Sequence, residues 1–124
     1  MTRGIVLFAH GSRDPLWHRP MQAVAAQLLQ THADVAVECA YLELSIPDLA
    51  TVCASLVERG IRTITIVPMF LGVGKHARED LPLLVAALRE SHPQIDFELQ
   101  GAVGENSRLI ALLAEIAAER PAHP

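Results

Sequence analysis

Four short apolar runs, each followed by a stretch with helical spacing, leave this chain few ways to fold. The first run, Gly4-Ile5-Val6-Leu7-Phe8-Ala9, is apolar throughout. A strand with one wet face would alternate, so this run suits a strand covered on both faces, as in a parallel sheet. Asp14-Pro15 then reads as an N-cap with proline at the first helical position. Trp17, Met21, Val24, Ala25 and Leu28 recur at helical spacing and carry that helix to about Gln30. The second unit pairs a strand from Val35 to Leu42 with a helix whose stripe is Leu49, Val52, Cys53, Leu56 and Val57. Ser45 and Asp48 resemble a capping box with aspartate at its far end, and Gly60 suits a left-handed terminator.

In the third unit, Arg62 to Leu71 is rich in β-branched residues, with Pro68 near its end, placed either to bend the strand or to stop its pairing. A helix with the stripe Leu81, Leu84, Val85 and Leu88 follows the loop Gly72-Val73-Gly74-Lys75-His76. Pro82 fits the first turn of that helix best; a helix that starts at His76 and kinks at Pro82 is the alternative. The last unit joins a strand from Ile95 to Gln100 to a helix carrying Leu109, Leu112, Leu113 and Ile116. Strict alternation predicts an α/β fold with right-handed crossovers: a small doubly wound, four-stranded parallel sheet of flavodoxin-like kind. The expected strand order is 2-1-3-4 with helices on both faces. A chain of 124 residues fits one domain, taken as 1–120, with 121–124 as a frayed tail.

Charge and patterning exclude several roles. Ten basic against fourteen acidic residues give a net charge of -4, which argues against sequence-blind nucleic-acid binding. No apolar run approaches the roughly 20 residues that span a bilayer, so no membrane partner is expected. The short apolar run before His10 is too brief for a signal-peptide core, and Cys39 and Cys53 read as buried thiols in a reducing compartment. A cytoplasmic location is therefore expected.

Ligands of open α/β sheets bind beyond the carboxyl ends of the strands, where connections diverge to opposite faces. His10 follows the first strand, Glu43 the second, and His76 ends the loop after the third. Successive members stand 33 residues apart, about one βα unit, so all three return to one rim. Two imidazoles and a carboxylate suit a divalent first-row metal with open positions, and a neutral imidazole also accepts a proton near pH 7. Arg13, Lys75 and Arg78 lie near the same edge, as cations suited to an anionic ligand. Ser12, with Gly11, Gly72 and Gly74, offers backbone N–H groups to it. His18 lies in the first helix near the rim, and His32, His92 and His123 fall elsewhere. The glycine spacings form no GxGxxG or phosphate loop, which removes support for nucleotide binding.

Phe8-Ala9-His10-Gly11-Ser12-Arg13-Asp14-Pro15 forms the first of three fragments that share a pattern. The second is Ala40-Tyr41-Leu42-Glu43 with Pro47. The third is Val67-Pro68-Met69-Phe70-Leu71 with Gly74-Lys75-His76 and Asp80-Leu81-Pro82. Together and in this order they resemble the class II sirohydrochlorin chelatases, the CbiX/SirB-type cobalto- and ferrochelatases with nickel-inserting relatives. The resemblance implies insertion of Co2+, Fe2+ or Ni2+ into sirohydrochlorin without ATP, on a cobalamin- or siroheme-type route. The metal would be a substrate, and no permanently bound cofactor is implied. By motif match, His10 and His76 look like the family's paired histidines and Glu43 like their acidic partner, as catalytic groups and metal ligands. Ser12, Arg13, Lys75 and Arg78 would then meet the carboxylates of the tetrapyrrole. Long members hold two such domains in one polypeptide; this chain looks like the short form, which implies a homodimer whose paired rims build the cleft.

Two other readings compete. A metal or tetrapyrrole carrier would use the same rim without turnover. His10-Gly11-Ser12-Arg13 also bears a superficial likeness to histidine phosphatases, but those need an arginine directly before the histidine, where this chain has Ala9.

Overall fold

A computed structural model of the chain describes residues 3–122. Four strands, β1 (Arg3–Ala9), β2 (Val35–Tyr41), β3 (Thr63–Pro68) and β4 (Asp96–Leu99), form one sheet in the order β2-β1-β3-β4. Every pairing is parallel, and Leu7 stands opposite both Cys39 and Val67. Four α-helices alternate with them: α1 (Arg19–Thr31), α2 (Leu49–Glu58), α3 (Lys75–Ser91) and α4 (Ser107–Ala118). The expected class and strand order are both present. In the tail expected to fray, residues 123 and 124 lie outside the described residues.

The continuous apolar character of β1 follows from its place between β2 and β3 and between two hydrophobic layers. Val6 and Phe8 face a core built with α2 and α3, through Leu56, Val85 and their neighbours. Ile5, Leu7 and Ala9 face a smaller cluster with Met21 and Tyr41; among the described residues, α1 is the one helix that contributes to it, through Met21, Ala25 and Leu28. Full burial of an aliphatic or aromatic side chain stabilises by about 1.5–3 kcal/mol, so the residues of β1 anchor both layers. Cys53 is fully buried and Cys39 partly so; both are free thiols. Burial pushes Cys53 up to about 12 and moves Cys39 upward too, leaving neither a ready nucleophile.

The element ends correct several expectations. The first helix does not run unbroken from Pro15: Pro15–His18 is a 3-10 turn capped by Asp14, and α1 begins at Arg19. Pro20 is the reason, because it lacks the N–H that an α-helical bond to the Leu16 carbonyl would need. Ser45 does not open α2; Asp48 is the N-cap and its side chain accepts from the Thr51 N–H. These hydrogen bonds favour the carboxylate and lower its pKa. Gly60 behaves as expected, at φ 86, with its N–H bonded to the Val57 carbonyl and that of Ile61 to Leu56.

Pro82 lies inside α3 and not in its first turn, since the helix starts at Lys75 behind Gly74. An interior proline costs about 3 kcal/mol, and here it leaves the Arg78 carbonyl without its helical donor. Burial of Ala77, Leu81, Val85 and Leu88 on one face offsets that cost and begins before the proline. Leu84, expected in this stripe, is 37% exposed at its margin. β3 is shorter than expected. Pro68 still pairs with Phe8 and Met69 donates to the Phe8 carbonyl, while the ladder to β4 has already ended at Ile66–Leu99, two residues before the proline.

The largest departure is α4. It has no buried residue, and Ile110, Leu112, Leu113 and Ile116 are all exposed, against an expected apolar stripe facing a core. The sheet face beyond α1 is correspondingly open, with a groove of about 300 Å³ bordered by Ile5, Leu7, Val24, Leu28 and Val67.

Asp48→Ala removes a side-chain cap of α2 and should lower unfolding free energy by about 1 kcal/mol, read from urea denaturation. An unchanged midpoint and slope would show that the cap carries no stability.

Candidate active site

β1 and β2 end side by side, and their backbone pairing continues into the loops beyond. Leu42 donates its N–H to the Ala9 carbonyl at 2.9 Å, and Glu43 donates to the His10 carbonyl at 2.9 Å. The backbones that carry the first imidazole and the carboxylate are thus joined directly. Gly11 makes this approach feasible: it sits at φ 104, and a Cβ there would lie 1.8 Å from the Glu43 carbonyl oxygen. Only glycine fits such a contact without moving the loop.

His10 is exposed at the rim, its ring packed against buried Phe70 with centroids 4.5 Å apart. Phe70 follows β3 and itself packs edge-on to Phe8, so the aromatic contact ties the loop after β1 to the loop after β3. His76 lies in the first turn of α3, 85% exposed, with Nε2 2.9 Å from Asp80 Oδ2 one helical turn on. An exposed pair of this kind adds little stability but holds the imidazole in one orientation. Its Nδ1 then remains for a metal or a proton.

All three expected groups therefore stand at the carboxyl edge of the sheet: His10 and Glu43 on the loops after β1 and β2, and His76 not at the end of the loop after β3 but inside the first turn of α3, which starts at Lys75. Only His10 and Glu43 are coupled through the backbone. Among the described residues, no group of three or more His, Cys, Asp or Glu side chains is gathered closely enough to hold one ion.

The anion-binding candidates differ in how committed they are. Arg13 is exposed on the loop after β1. Lys75 Nζ lies 4.0 Å from Glu79 Oε1, a solvent-exposed pair that a ligand carboxylate can displace. Arg78 donates from Nη1 to the Val73 carbonyl at 2.8 Å and so braces the Gly72–Gly74 loop. Beside it opens a cavity of about 290 Å³ bordered by Phe70, Ala77, Leu81, Gln100 and Ala102. Ser12 spends its N–H on Ser45 Oγ, and its own Oγ accepts from the Asp14 N–H.

Phe70, Asp80, Ser45 and His18 contribute to this edge without having been singled out for it. Asp80 was recoverable from its helical spacing to His76. Ser45 carried a quieter signal: it follows Ser12 by the same 33 residues that separate His10 from Glu43. His18 was placed near the rim but not in contact; its Nε2 lies 3.0 Å from the Ser12 carbonyl.

The chain is a parallel α/β sheet whose carboxyl rim carries two exposed imidazoles and an exposed carboxylate, at the edge where open sheets of this class bind their ligands. The CbiX family model matches residues 4–120, and the chain belongs to that family. It is similar to the sirohydrochlorin cobaltochelatase of Methanosarcina acetivorans, 34% identical over 79 residues, or 64% of this chain and 61% of that protein. The sirohydrochlorin ferrochelatase of Priestia megaterium is 29% identical over 113 residues, covering 90% of this chain and 42% of the relative. The match thus spans about three-fifths of the first relative and under half of the second. Among solved structures, the CbiX protein from Marinobacter aquaeolei VT8 superposes with a TM-score of 0.80 at 30% identity, covering 93% of both chains.

Gly11→Ala should destabilise the protein by clearly more than the about 1 kcal/mol typical of a point substitution, because both the positive φ and the Glu43 contact oppose it. Thermal melting checks this, and a melting point within a degree of the parent would refute the close-approach argument.

Proposed function

We propose that this chain inserts a divalent metal, Co2+ or Fe2+, into sirohydrochlorin without ATP. The observation that carries the reading is the backbone coupling of His10 to Glu43 on the rim that also bears His76, in a chain of the CbiX family. The names of the cobalto- and ferrochelatase relatives support the substrate and the two metals. Ni2+ is accepted by the same donor types and is the third metal to assay.

Insertion must strip water from the ion and take the pyrrole protons from the macrocycle. His10 and His76 present imidazoles that deliver the metal, accept those protons, or do each in turn. Glu43 completes a transient coordination or orients an imidazole. Arg13 and Lys75 meet peripheral carboxylates of the substrate, and Arg78 keeps the loop after β3 in place. The reaction site is cytoplasmic in this reading, in keeping with the free thiols Cys39 and Cys53.

The working unit is a homodimer of a single chelatase-type domain, residues 1–120. α4 leaves its apolar side chains exposed, while the sheet face beyond α1 lacks a covering helix. A second copy of the same chain supplies both missing surfaces at once, and relatives of about twice this length fit a paired arrangement. The second rim supplies wall that one rim lacks for a large macrocycle, and brings further donors to the metal.

Anaerobic absorption spectroscopy of sirohydrochlorin with each metal tests the activity. The enzyme should accelerate insertion over many turnovers, and His10→Ala or His76→Ala should each slow it at least tenfold with the fold intact. Binding without multiple turnovers would instead make the protein a carrier. Sedimentation should show a dimer that Leu113→Glu converts to monomer; a dimer untouched by both Leu113→Glu and Ile116→Glu places the interface away from α4.

A further inference from the structure

Ser45 sits where the loops after β1 and β2 meet, and its hydroxyl takes both backbone groups of Ser12. The Ser12 N–H donates to Ser45 Oγ at 3.0 Å, and Ser45 Oγ donates to the Ser12 carbonyl at 2.7 Å. His18 closes the group, with Nε2 3.0 Å from that carbonyl and 3.3 Å from Ser45 Oγ. A hydroxyl has one proton and two lone pairs. Here the proton goes to Ser12, one lone pair receives the Ser12 N–H, and the other faces His18. Both neighbours of Nε2 are acceptors, which requires that nitrogen to carry a proton. The ring is further held edge-on to Trp17, with centroids 5.2 Å apart, and to Tyr41, at 4.9 Å.

This cluster lies two residues beyond the catalytic pair on each loop. The 10–43 backbone bond and the 12–45 clamp fasten the same two loops at successive points, with Gly11 pressed against the Glu43 carbonyl between them. The backbone pairing of the two loops reaches the 10–43 bond, and Leu44 follows at φ 62; the next tie between them is made by the Ser45 side chain. We infer that Ser45, backed by His18, is a positioning residue: through Ser12 it fixes His10 and Glu43 relative to each other without touching substrate. Ser12 accordingly acts through its backbone as a link in the clamp. The inference deepens the chelatase reading and rests on it for its kinetic consequence.

Small misplacement of reacting groups costs rate more than binding. Ser45→Ala should therefore lower kcat for metal insertion about tenfold, with KM for sirohydrochlorin within about twofold. The His10 imidazole resonances, followed by NMR in the protein alone, should shift or broaden. Ser45→Thr restores the hydroxyl and should return both readings toward the parent, and His18→Leu should reproduce a milder form of the Ser45→Ala effect. Parent kcat with unmoved His10 resonances in Ser45→Ala would overturn the inference. So would a loss that Ser45→Thr fails to rescue and that follows the melting temperature alone. If the parent protein inserts no metal, the chelatase reading falls separately. The His10 resonances then decide the clamp: a Ser45→Ala shift that Ser45→Thr reverses supports it, and none overturns it.

Discussion

Pairing of β1 on both edges is the constraint on which the rest of the molecule depends. Its neighbours run parallel to it in matched register, so the chain leaves β1, β2 and β3 on one side of the sheet. Parallel pairing cannot be made by tight turns, and each return consumes a helix. The repeat length is set by that geometry. The residues that follow each strand therefore collect on one rim, whatever their chemistry.

Rim placement alone does not make a site. Glycine at position 11 lets two backbones touch, the Glu43–His10 bond exploits that contact, and Phe70 supports the imidazole from the β3 side. Phe70 is buried and Gly11 partly so, while the His10 and Glu43 side chains themselves are exposed. His76 and the cations are exposed on α3 and its preceding loop, where solvent screens their interactions. The rim thus combines two groups joined through the backbone with a third that is oriented only by an exposed contact to Asp80.

The two faces of the sheet are unequal for a similar reason. α2 and α3 bury a continuous core, while α1 alone cannot cover the opposite face. An apolar helix that buries nothing in its own chain is unstable in isolation unless a partner covers it. In the proposed dimer, the feature that completes the hydrophobic layers also brings two rims together, so assembly and substrate enclosure become one event.

Strand order, the rim and its three chemical groups were legible in the residues, because βα alternation and crossover handedness leave almost no alternative topology. Asp48, Gly60 and the buried β1 run were likewise local signals with local causes. For Pro82 the pattern left two placements open, and the one inside a helix starting near His76 is the observed one, because the choice depends on whether burial of Ala77 and Leu81 outweighs a lost backbone bond. Ser45 looked like the start of a helix cap until Ser12, far away in sequence, claimed its hydroxyl. α4 shows the same limit: its spacing declares an apolar stripe but not which surface receives it. Short-range patterns in the residues were enough for the fold and for the chemistry available at its edge. Which of those groups touch emerges with the folded chain, because the contacts depend on competition between burial and hydrogen bonding among residues distant in the sequence.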